Sequence, residues 1–78
     1  MPDSLIPFVV IKQAGRKCPF CEKAIDLLDE TGQAYRIRSL GIEALRAEAQ
    51  KANMNTVPIV YHGVRLIGGY TELAAYLS

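Results

Sequence analysis

The stretch LIPFVVIKQAGRKCPFCEKAIDLLDETG, residues 5–32, decides the fold. Residues 5–11 are almost wholly apolar and β-rich, the pattern of a central strand buried on both faces. Pro7 then belongs at the start of that strand or on a side needing no donor. Residues 12–17, KQAGRK, read as a polar loop. From about residue 19 to 31, Phe20, Ala24, Ile25, Leu27 and Leu28 form one apolar side of a helix. Glu22, Lys23, Asp26, Asp29 and Glu30 form its wet side. Pro19 suits the first helical position, where its missing N–H has no partner to lose. Gly32 ends the helix as a left-handed cap. Cys18 and Cys21 stand where the strand and loop hand over to this helix.

Outward from that unit, Tyr35 and Ile37 alternate as inward residues with outward Arg36 and Arg38 over 34–39, an edge strand guarded by arginine. Ile42, Leu45, Ala49 and Ala52 recur at helical spacing, giving a second helix to about Asn53. Residues 57–61 and 64–67 read as strands joined by a two-residue turn at His62-Gly63. After Gly68-Gly69, a last helix starts at about Thr71, a plausible N-cap, and buries Leu73, Ala74 and Leu77. The order β-α-β-α-β-β-α predicts an α/β fold. A right-handed first crossover pairs two strands in parallel, and the hairpin completes a four-stranded mixed sheet with three helices on its two faces.

At 78 residues the chain is read as one domain, 1–78. Half the residues are hydrophobic and 22% are charged, values of an ordinary soluble domain. A net charge of +1 gives no electrostatic case for nucleic acid or an acidic membrane surface. No apolar run approaches a membrane span, and the first residues lack the basic region of a signal peptide, so a cytoplasmic location is expected.

Two cysteines this close cannot form the disulfide framework of a secreted mini-protein. Zinc needs four ligands, and His62 is the sole histidine, so no metal site is expected. Beside a β-α-β pattern, the spacing points to redox chemistry. The attacking species in disulfide exchange is a thiolate. At the start of a helix, unpaired N–H groups and the dipole favour an anion, and Arg16 and Lys17 add positive charge near Cys18. Cys21, one turn on, is placed to attack a mixed disulfide on Cys18. Phe20 projects beside the sulfur.

Cys18-Pro19-Phe20-Cys21, then Thr56-Val57-Pro58, then Gly68-Gly69 followed by Tyr70-Thr71-Glu72-Leu73, resemble the glutaredoxins of the thioredoxin-fold superfamily, and the long loop before Cys18 resembles that of the phage type. The resemblance runs from about residue 7 to 77. It implies a thioredoxin-like fold and an enzyme that uses glutathione as co-substrate, with no bound cofactor. Cys18 and Cys21 would be catalytic. Glutathione would meet Lys17, Phe20, Thr56, Val57, Pro58, Gly69, Tyr70 and Thr71. Pro58 would follow a cis peptide bond, and the N–H groups at Tyr70 and Thr71 would meet the γ-glutamyl carboxylate.

Family members usually carry a lysine three residues before the first cysteine. Gly15 stands there, leaving Lys12, Arg16 or Lys17 for the glycine carboxylate. Asn55 and Leu45 stand where polar or basic residues are common. The implied partners are disulfide-containing or glutathionylated proteins, ribonucleotide reductase among the possibilities, for a chain acting as a monomer. Two alternatives follow from the same family: a redoxin reduced by thioredoxin reductase, and a carrier of a [2Fe–2S] cluster. His62 reads as a solvated turn residue far from Cys18.

Overall fold

The computed structural model describes residues 6–78. Leu5, placed by sequence in the first strand, lies outside them. The order is β1 (Phe8–Gln13), α1 (Pro19–Glu30), β2 (Tyr35–Leu40), α2 (Ile42–Ala52), β3 (Ile59–His62), β4 (Arg65–Gly68) and α3 (Tyr70–Leu77). The four strands lie in the order β2-β1-β3-β4. β1 pairs with β2 in parallel and with β3 antiparallel, and β3 pairs antiparallel with β4.

β1 is central, and its alternation supplies both halves of the core. Phe8 and Val10 pack with Ala24 and Leu28 of α1, Val60 of β3 and Leu73 of α3. Val9 and Ile11 turn the other way, toward Leu45 and Ala52 of α2 and Ile59 of β3. Two apolar faces on one strand therefore draw α1 and α3 to one side and α2 to the other. Burial of each large side chain contributes about 1.5–3 kcal/mol. No helix among the described residues is long and apolar enough to cross a membrane.

Several local expectations are corrected. β1 extends through Lys12 and Gln13, and Ala14 still donates its N–H to the Leu40 carbonyl at 2.8 Å. Backbone pairing with β2 carries the strand past its apolar residues. Ile37 is 47% exposed, because β2 is an edge strand with one flank open. Phe20, grouped by sequence with the apolar side of α1, is 56% exposed at the helix's first turn. One expectation holds: Gly32, directly after the C-cap Thr31, takes the left-handed φ of 70° that ends α1. The N–H groups of Gly32 and Gln33 bond the Asp29 and Leu28 carbonyls, closing the helix.

The hairpin is shifted. Its turn is Gly63-Val64, with Gly63 at φ 64°, where glycine carries no steric penalty. His62 is therefore the last residue of β3 and buried, not a solvated turn residue. It lies opposite Phe8, and the two rings stack at 4.0 Å. Residues 57 and 58 precede β3 rather than belonging to it. Thr71 is not the N-cap of α3; that position is Gly69, and the Glu72 carboxylate accepts the Gly69 N–H at 2.8 Å.

Candidate active site at the start of α1

Cys18 is the N-cap of α1, with the extended backbone expected there, and Pro19 follows at the first helical position. The Cys18 Sγ accepts the Cys21 N–H at 3.1 Å. The sulfur thus takes the place that a serine or aspartate oxygen holds in an ordinary cap. Cys18 is half-buried, whereas Cys21 faces the core at 1% exposure. The two are joined as a disulfide, with their Cα atoms 5.1 Å apart. The arrangement is asymmetric: an outer sulfur that a substrate can approach, and an inner one reachable only through it.

Two grooves flank this pair. One, about 390 Å³, is lined by Gln13, Arg16, Lys17, Cys18, Pro19, Phe20, Thr56 and Val57. The other, about 220 Å³, is lined by Phe20, Thr56, Val57, Pro58, Gly69, Tyr70, Thr71 and Glu72. They share Phe20, Thr56 and Val57, so the 56–57 segment runs between them as a common wall. Of the residues proposed from sequence, all but the buried Cys21 and Lys12 line one groove or the other.

Three elements supply these walls. The Val57–Pro58 peptide bond is cis, and Pro58 is buried beneath the segment. Gly68, at φ 126°, begins the turn into α3. A β-carbon there would stand 2.8 Å from Glu72 Cγ, so the position demands glycine on both counts. Gly69 offers no side chain to the N–H groups that open α3, and Gly69, Tyr70 and Thr71 line the smaller groove. The Phe20 and Tyr70 rings stand 6.4 Å apart across that groove, and the Lys23 ammonium lies 5.2 Å from the Phe20 centroid. Of the three basic residues offered for the glycine carboxylate, Arg16 and Lys17 line the larger groove, while Lys12 lines neither.

A sequence model of the glutaredoxin family matches residues 8–67. The chain belongs to the glutaredoxin family. A glutaredoxin of Ricinus communis is 35% identical over 63 residues, which are 74% of this chain and 62% of that relative. The chain thus spans under two thirds of the curated relative's length. Among solved structures, a buckwheat glutaredoxin–glutathione complex is similar at TM-score 0.76 and 27% identity, covering 94% of this chain and 69% of that one. A wheat glutaredoxin is similar at TM-score 0.77 and 28% identity, covering 94% and 70%. The four-stranded mixed sheet with three helices is the thioredoxin-like fold of these glutaredoxins.

Sequence reasoning missed two wall residues. Gln13 was assigned to a loop, but it ends β1 on the same face as Val9 and Ile11 and so lines the sulfur groove. Its two-residue spacing from Ile11 is the signal that would have found it. Glu72 was quoted in the family motif without a role, yet it caps Gly69 and lines the smaller groove. A glutamate three residues into a helix is the usual partner of an N-cap, which points to it once Gly69 is taken as the cap.

Proposed function

We propose that this glutaredoxin is a glutathione-dependent thiol–disulfide oxidoreductase that reduces protein disulfides and glutathione mixed disulfides through Cys18 and Cys21. The observation that carries the reading is the Cys18 sulfur at the N-cap of α1, accepting a backbone N–H beside two grooves. A sulfur so placed is stabilised as an anion by N–H groups and the helix dipole, and Lys17 and Arg16 add positive charge.

The Cys18 thiolate attacks one sulfur of a substrate disulfide, forming a mixed disulfide and expelling the other sulfur as a thiolate. The Cys21 thiolate then attacks the Cys18 sulfur. The second substrate thiol leaves, and Cys18 and Cys21 are left as a disulfide. Two glutathione thiols return the two electrons and become glutathione disulfide, and their protons go to the released thiolates. When the substrate is a glutathione mixed disulfide, attack on the glutathione sulfur frees the protein thiol directly.

In this reading the glutathione backbone pairs along Val57, with Thr56 and Pro58 holding that segment. The glutamyl carboxylate meets the N–H groups of Tyr70 and Thr71 at the open start of α3, next to Gly69. Phe20 covers the sulfur, and Lys17 meets the glycine carboxylate. The buckwheat relative solved with glutathione supports the assignment by similarity. The protein substrates are disulfide-containing or glutathionylated proteins, ribonucleotide reductase among them, met by a monomer in the reducing cytoplasm.

The test is turnover of the mixed disulfide of glutathione and 2-mercaptoethanol. Cys18→Ser is expected to reduce it to background. Cys21→Ser should keep much of it and lose reduction of a protein disulfide. Full activity in Cys18→Ser would reject the mechanism. Parallel coupling to glutathione and to thioredoxin reductase identifies the electron donor.

A further inference from the structure

Beyond the two grooves at the sulfur lies a third, between α2 and the segment that leads into β3. It is larger than either, about 470 Å³. Its walls are mostly apolar: Ile42, Leu45 and Ala49 from α2, with Met54, Val57 and Ile59 opposite. Ile42 leaves 49% of its surface to solvent. Gln13, Thr56 and Val57 also line the sulfur groove, so the two spaces adjoin along that wall. Among the described residues, no acidic side chain lines either one. Arg46 stands on the wall of the third groove, and Arg16 and Lys17 on that of the sulfur groove.

We propose that this α2 groove receives an apolar side chain of a polypeptide substrate, close to the cysteine that Cys18 captures, with a carboxylate of the same polypeptide near Arg46. The proposal rests on the oxidoreductase reading above and names the substrate that reading leaves general. The covalent step tethers any substrate at the Cys18 sulfur, so the chain on one side of the captured cysteine passes the shared wall at Thr56 and Val57. Glutathione carries glycine on that side of its cysteine or γ-glutamate on the other, and glycine has no side chain to fill an apolar space. A polypeptide with a leucine- or isoleucine-sized residue there removes the exposed Ile42 and Met54 surface from water. Its acidic group meets a surface whose charges, among the described residues, are arginine and lysine. The smaller groove, with the Glu72 carboxylate on its wall, lacks both features.

The experiment uses the full chain and three substrates. These are the mixed disulfide of glutathione and 2-mercaptoethanol, and two symmetrical disulfide-linked peptide dimers that differ only in leucine or serine beside the cysteine, each followed by aspartate. The wild-type chain is expected to show a KM about tenfold lower for the leucine peptide. Ile42→Ser and Ala49→Trp should each erase most of that preference while turning over the small disulfide at the wild-type rate. Equal KM values for the two peptides on the wild-type chain would overturn the proposal while leaving the parent reading standing. So would a parallel loss of small-disulfide turnover in both variants, which would give the groove to the glycyl arm of glutathione. A wild-type dimer that Ile42→Ser dissociates would give it to a second copy of this chain, and would overturn the proposal too. No turnover of the small disulfide by the wild-type chain would reject the parent reading and this one with it.

Discussion

The two ends of β1 meet opposite surroundings. At its start, Phe8 stacks on His62 with the ring planes 1° apart, and Tyr76 stands edge-on to both rings. The Ile6 carbonyl lies 3.0 Å from His62 Nε2 and the Tyr76 hydroxyl 2.8 Å from Nδ1. A carbonyl only accepts, so Nε2 donates to it; in the neutral ring, Nδ1 then accepts from the hydroxyl. Past the other end of β1, the Cys18 sulfur takes one N–H, the N-cap of α3 is a glycine with no side chain to offer, and Phe20 lies half in solvent. Both ends combine aromatic rings with polar groups. One closes its polar groups on each other and so holds the fold. The other leaves donors and apolar surface open, the condition for receiving a substrate.

Substitutions at the closed end should change stability and spare chemistry; those at the open end should change binding or turnover. The largest effect is expected for Phe8→Ala, which removes the ring at 1% exposure under His62 and Tyr76. A loss of about 3–5 kcal/mol in denaturant unfolding is expected, a large part of the stability of so small a domain. A loss under 1 kcal/mol would show that the aromatic end is not part of the core. Gly68→Ala comes next, because it forces a β-carbon into Glu72 at φ 126°. It should lose about 1–3 kcal/mol and also raise the KM for glutathione, since the same turn opens the smaller groove. A stability loss with an unchanged KM would separate that turn from binding. Tyr76→Phe is the mildest, removing one hydrogen bond to His62 for about 0.5–1.5 kcal/mol with turnover unaffected.

The same contrast explains what the sequence disclosed. The open end was legible because its chemistry is local: Cys18, Pro19 and Cys21 lie on one helical turn, and helix rules place the sulfur at an N-terminus. β1 was legible because an apolar, β-rich run ahead of a polar loop has to be buried. The closed end was not legible. Only the pairing of β3 with β1 sets His62 opposite Phe8, and a histidine beside glycine reads locally as a turn. The cap of α3 was misplaced for a related reason. Thr71 is a good cap by residue type, but the backbone at Gly69, held by Glu72, starts the helix earlier. Ile37 alternates correctly, yet alternation does not say whether a helix covers an edge strand.

The central claim is that the Cys18 sulfur is held as an anion at the start of α1. The rate of alkylation of the reduced Cys21→Ser protein, followed against pH, measures this without turnover. The account predicts a midpoint below about 7.5, in the range of thiols at helix N-termini. A midpoint at about 8.5, that of a free cysteine, would contradict it.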